Sequence, residues 1–218
     1  MVELPRELPG PDHDRLAALG IRWDYLETAI RAGEAARREA TPTEPPTAPG
    51  LNDWIARVGM LRHTMVLQEG WTLLNHNNMA LVVNPARTIA LGVLAGDAAT
   101  GWAPPLKPKS RYPKGNAFAE AVAHNDLTLF SNDELGHADV LDPAAIESLN
   151  LWLLLTHRVR VRDEVTVYSE LSLPAGVSDS GYIVDWLDRV ILPRLKFEAI
   201  KDDEGPDDGG IDVPVEEI

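Results

Sequence analysis

Cysteine is absent from this 218-residue chain. That excludes disulfides, thiolate zinc sites, iron–sulfur clusters and cysteine nucleophiles, and it fits a reducing compartment. Long apolar runs are missing too. MALVV and LWLLL fall far short of the ~20 residues that a membrane-spanning helix requires. The opening MVELPRELPGPDHDRL has neither the apolar core of a signal peptide nor a basic leader. A cytoplasmic protein without a membrane partner is expected.

Bases are scarce, 20 against 34 acids, for a net charge of −14. Their distribution matters more than the total. Residues 198–218 hold nine acids and one base, so this segment carries −8 and the remainder of the chain −6. Such a terminal run reads as an acidic, solvated tail.

Motifs that announce chemistry are also lacking. The stretch from Gly96 to Gly101 matches neither a Walker loop nor a dinucleotide fingerprint. No serine sits in a Gly-x-Ser-x-Gly elbow. The six histidines (13, 63, 76, 124, 137 and 157) show no ligand spacing, and His124, Asp133, His137 and Asp139 cluster only loosely. No cofactor and no metal site are expected.

What is present indicates an α+β fold. Residues 1–20, with Pro5, Pro9, Gly10 and Pro11, begin as an irregular lead-in. From Ile21 to about Arg38, Trp23, Leu26, Ala29, Ile30, Gly33 and Ala36 recur at helical spacing. The run ATPTEPPTAPG breaks that helix. A second helix is predicted from about Asn52, its cap, to Gln68, burying Leu51, Trp54, Ile55, Val58, Leu61 and Met65. Residues 71–74, 79–83 and 88–94 read as a three-strand antiparallel meander, the last strand covered on both faces. A proline-rich, glycine-rich loop over 96–116 and a short helix over 117–124 follow. Residues 150–174 read as a β-hairpin turning near Asp163. The segment SGYIVDWLDRVILPRL reads as an amphipathic helix capped by Ser180, with Ile183, Val184, Leu187, Val190 and Ile191 on one face and Trp186 near the core. The sum is an antiparallel or mixed sheet of about five strands with helices on one side, in a single domain over 21–197 with an N-terminal helical pair over 21–69.

Three features could carry function. Lys107, Lys109, Arg111 and Lys114 form a local basic patch, since no acid occurs between Asp97 and Glu120. With Gly115 at a helix start, they would suit an anion or a nucleic-acid backbone; the alternative is a solvated loop paired with surface acids. Asp97 and Glu170 are strand-associated carboxylates that a phosphate-substrate enzyme, a nuclease or nucleotide-acting, could use; Asp97 reads equally as a turn residue. Finally, Leu127, Leu129 and Phe130 lie in NDLTLF, which resembles the short peptide by which bacterial proteins bind the replication sliding clamp, with Asn125 where that peptide prefers glutamine. A buried strand accounts for the same residues.

The segments PPTAPGLNDW, EGWT, GDAATG, YPKG, NDLTLF, SELSLP and VDWLDRVILP, spread over residues 22–195, carry a wider likeness. Through them the chain resembles a family of bacterial proteins carried by plasmids, phages and genomic islands. The resemblance implies an accessory or anti-defence role and transfers no catalytic residue. The expectation is a non-enzymatic interaction protein that docks a protein partner through the 96–130 region. The alternatives are the phosphate-substrate enzyme and an acidic nucleic-acid mimic.

Overall fold

The computed structural model describes residues 12–76, 79–115, 118–119, 121–123 and 149–199. Its first element is α1 (His13–Ala18), inside the stretch expected to be an irregular lead-in. Asp12 starts it, its carboxylate accepting from the Arg15 amide at 3.1 Å, and Leu16 anchors it in the core.

Helix α2 (Trp23–Arg38) buries Leu26, Ala29, Ile30 and Gly33, the three-and-four spacing legible in the sequence. Helix α3 runs Ala48–Glu69, beginning at Thr47 rather than Asn52. Proline is tolerated in a first turn, where the missing amide has no intrahelical partner to lose, so Pro49 admits the earlier start. Leu51, Trp54 and Ile55, expected to be buried, are exposed, and only Val58, Leu61 and Met65 enter the core. Gly70 closes α3 with φ +68°, a left-handed cap that glycine adopts without a Cβ clash.

The sheet has seven strands: β1 (Thr72–His76), β2 (Met79–Val83), β3 (Ile89–Ala95), β4 (Asn150–Val161), β5 (Glu164–Val177), β6 (Ile183–Ile191) and β7 (Leu195–Glu198). The order is β1-β2-β3-β4-β5-β6, with β7 also on β5. The meander β1–β3 is antiparallel, as predicted. Asn84 sets its second turn by accepting from the Thr88 and Ile89 amides at 2.8 and 3.0 Å. Strand β4 then pairs parallel to β3, so the sheet is mixed and residues 96–149 form the crossover. The β4–β5 hairpin turns at Arg162, φ +54°, beside Asp163.

The predicted C-terminal helix is instead a strand. β6 pairs antiparallel with the distal half of β5, and β7 takes the proximal half of the same edge. The spacing of Ile183, Val184, Leu187, Val190 and Ile191 fits a helix, but the exposed edge of the 14-residue β5 offers ladder hydrogen bonds that β-branched residues accommodate well. Register shifts opposite Leu173, Pro174 and Gly176 disrupt the two-residue alternation that would have signalled a strand. Ser180, expected to cap the helix, lies in the β5–β6 turn with its hydroxyl 3.0 Å from that of Ser178.

Helices α1–α3 cover one face of the sheet, packing Leu26, Ile30, Leu61 and Met65 against Leu91, Leu154, Val167 and Leu171. Each fully buried leucine or isoleucine of this layer contributes about 1.5–3 kcal/mol relative to exposure. On the opposite face Phe118, Ala121 and Val122, from the short helical stretch predicted there, pack on Leu81, Leu151 and Leu153.

Candidate functional site

The loop that follows β3 occupies the face away from α1–α3, over β5 and β6. It lacks regular structure yet is held along its length. Its outgoing and returning legs bridge at Gly96 and Ser110, with Asp97 N donating to Lys109 O at 3.0 Å and Arg111 N to Ala95 O at 2.9 Å. From β6, Ile183 exchanges bonds with Ser110, and the Trp186 indole donates to Pro108 O at 2.7 Å. Trp186 is thus a half-buried strand residue tying down the loop, rather than a helix-face core residue. The guanidinium of Arg189 donates to Leu106 O at 2.7 Å and to Trp102 O at 3.0 Å.

Beneath the loop sits Glu170, fully buried on β5. Burial of a carboxylate requires compensating partners, and Glu170 has three, which make four hydrogen bonds. Arg189 contributes Nε at 2.9 Å and Nη2 at 2.6 Å, Ser172 Oγ lies at 2.6 Å, and the Gly101 amide at 2.8 Å. Gly101 is the point of closest approach. Its φ is +74°, and a Cβ there would lie 3.1 Å from both Ser169 N and Tyr168 Cβ. Only glycine lets the backbone come this near to β5.

Asp97 is half-buried, with Oδ1 accepting from the Ala99 amide at 3.0 Å. That is the bond of an aspartate turn. Its carboxylate serves the loop's own backbone, while Glu170 is enclosed by its three partners. The four bases are engaged separately. Lys107 pairs with Asp185 of β6 at 2.6 Å. Lys109 stands over the Tyr182 ring at 5.8 Å, and Arg111 over Tyr112 at 5.8 Å. Lys114 turns to a different place, described below. Lys107, Lys109, Leu106 and Tyr112 are exposed along the loop's outer side.

No family model matches the chain, and no curated protein or solved structure matches it. Among the described residues no helix is long and apolar enough to cross a membrane, and no three His, Asp or Glu side chains gather where a metal ion could be held. Leu127, Leu129 and Phe130, the histidines 124 and 137, and residues 200–218 of the acidic tail lie outside the described residues.

Two further groupings escaped the sequence reading. Arg194 lies 4.4 Å from the Trp102 ring centre and 4.8 Å from that of Tyr168, and these rings stack on each other at 5.5 Å. On the helical side, Glu34 of α2 is buried and takes ion pairs from Arg158 of β4 and Arg38, while Arg57 of α3 pairs with Asp53 and donates to Thr156 of β4. Burial pushes the Asp53 carboxyl up against the pull of Arg57, and burial lowers the Arg57 guanidinium against the pull of Asp53. The long-range contacts Arg194–Trp102, Glu34–Arg158 and Arg57–Thr156 carry no local spacing signal, whereas Glu34–Arg38 and Asp53–Arg57 show only the ordinary i,i+4 spacing of a helix.

A cavity of about 320 Å³ opens between β2 and β3. Pairing of these strands ends at Val82–Leu91, while β3 continues along β4 as far as Ala95. The strands diverge beyond that point, and the gap is lined by Trp54, Met79, Leu81, Leu94 and Leu153, with Phe118 and Lys114 at one side.

Proposed function

We propose that this chain is a non-enzymatic interaction protein that docks an acidic protein partner through the outer side of loop 96–115. The observation that carries the reading is a long irregular loop fixed by Arg189, Trp186, Ser110 and Glu170 while it presents Leu106 and Tyr112 beside Lys107 and Lys109. A pre-organised loop loses little conformational entropy when it binds, which raises affinity for a given contact area. Apolar anchors flanked by cations suit an acidic, partly apolar surface, with the cations steering the encounter. The phosphate-substrate alternative needs Glu170 and Asp97 to meet a ligand, whereas Glu170 is enclosed and Asp97 caps its own turn. The mobile-element setting rests on the sequence resemblance alone.

The test is site-specific photo-crosslinking in bacterial cells from position 106 or 112, with position 161, exposed at the far end of the β4–β5 hairpin, as control. One discrete acidic protein should be captured from 106 and 112 but not from 161. Capture should fall when Lys107→Glu and Lys109→Glu are introduced together. Equal capture from 161, or capture unaffected by charge reversal, would sink the proposal.

A further inference from the structure

The cavity between β2 and β3 belongs to no part of the docking surface, and its chemistry is different. Its walls are aliphatic: Met79 and Leu81 from β2, Leu94 from β3, Leu153 from β4. Gly92 makes room for Leu81, whose Cδ2 would stand 2.8 Å from a Cβ at that position. Trp54, 42% exposed on α3, stands at its margin. Among the described residues of the lining, the one cation is Lys114. It is half-buried, its backbone amide is held by Gly181 O at 2.7 Å, and no acidic side chain among the described residues pairs with it. Lysines 107 and 196, by contrast, have carboxylate partners. Desolvation lowers the Lys114 ammonium from its ordinary range, the effect a carboxylate arriving beside it would reverse.

We propose that this cavity binds a small aliphatic monocarboxylate, its hydrocarbon body in the gap between β2 and β3 and its carboxylate on Lys114. The volume falls at the lower end of about 300–1,000 Å³ for small-molecule pockets, and apolar walls with one placed polar group are the common pattern of such sites. A phosphate head, carrying more charge and favouring a multi-donor clamp, suits a lone lysine less well than a carboxylate does. An uncharged hydrocarbon would leave the ammonium unmatched.

The probe is octanoate, titrated calorimetrically into the full chain, with octanol (same tail, no charge) and acetate (same charge, no tail) as comparisons. Octanoate should bind saturably at one site per chain. Acetate should show no saturable binding, and octanol should bind about tenfold more weakly or worse, as expected for loss of a charge-assisted hydrogen bond. Lys114→Met should weaken octanoate by a similar factor and leave octanol unchanged, while Lys114→Arg retains octanoate. Lys114 is half-exposed, so these variants should fold, as circular dichroism can verify. Methyl resonances of Leu81, Leu94 and Leu153 should shift on octanoate addition. No saturable octanoate binding, equal affinity for octanol, indifference to Lys114→Met, or shifts confined to other methyl groups would each overturn the proposal. Crosslinking from position 106 should be unaffected by Lys114→Met, so the pocket and the docking surface are tested independently.

Discussion

Glu170 and Arg189 form a two-pronged ion pair between β5 and β6, Nη2 to Oε2 at 2.6 Å and Nε to Oε1 at 2.9 Å, beneath the loop that Arg189 also holds by its carbonyls. The carboxylate is fully buried and the guanidinium nearly so. Removing one member of such a pair leaves an uncompensated buried charge and costs about 3–5 kcal/mol, whereas replacing both by apolar groups costs much less. Glu170→Gln and Arg189→Met should each destabilise by about that amount, and the double variant by clearly less than their sum in a double-mutant cycle read by urea unfolding. Additive losses would mean that the pair does not act as a unit.

The same geometry makes Gly101 the hinge point of the loop. Alanine there meets both a positive φ and the β5 backbone at 3.1 Å, so the loop must lift and Glu170 loses an amide donor. Gly101→Ala should raise amide hydrogen exchange through residues 101–110 while leaving β3 and β4 protected. Unchanged exchange in the loop would show that it is anchored independently of this contact.

Gly33 is the corresponding close approach on the helical side. A Cβ at this position would lie 2.9 Å from Arg57 Nε and 3.0 Å from the Asp53 carbonyl oxygen. Alanine is the better helix former by about 1 kcal/mol, but overpacking against a neighbouring backbone costs about 1–3 kcal/mol. The α2–α3 contact also carries the Asp53–Arg57 pair, so Gly33→Ala should be net destabilising in thermal unfolding despite its higher propensity. A stabilised variant would show that the helices can slide apart at little cost.

Helix α2 and the first half of β5 were legible because each buries a face at a single period, and β2, β3 and β4 because they contain short apolar runs between turn residues. Leu26, Ala29 and Ile30 show the helical spacing, and Val165 and Val167 alternate with Thr166 and Tyr168. β6 was not legible, because Ile183, Val184, Leu187 and Val190 satisfy a helical period by coincidence and the deciding partner, the free edge of β5, is a tertiary fact. Leu51, Trp54 and Ile55 follow the period of α3 yet stay exposed, while the neighbouring Asp53 meets Gly33 of α2. Among the site residues, Glu170 could be singled out as an acid within a strand, yet its partner lies nineteen residues on, in the misread segment. The loop's composition gave its irregularity, but not the side chains that fix it, since Trp186 and Arg189 come from β6.

Asp185 and Lys107 provide a pH test of how firmly the loop is held. Their contact at 2.6 Å joins the loop to β6 at the surface. The Lys107 ammonium, and then the Trp186 backbone amide, hold the Asp185 carboxyl below the usual carboxylate range. A depressed pKa in the folded state means that the contribution to stability is present above the unfolded carboxylate value, about 3.9, and is lost as pH falls through the lower folded value. Carboxyl carbon resonances followed by NMR should therefore show Asp185 titrating below the unfolded carboxylate value. Lys107→Met should move its midpoint upward, and added salt should do the same in the wild type, because exposed pairs are screened. If Asp185 titrates identically with and without Lys107, the loop is not tethered there in solution, and its pre-organisation rests on its other anchors, Arg189, Trp186, the Ser110–Ile183 bonds and the Gly101–Glu170 contact.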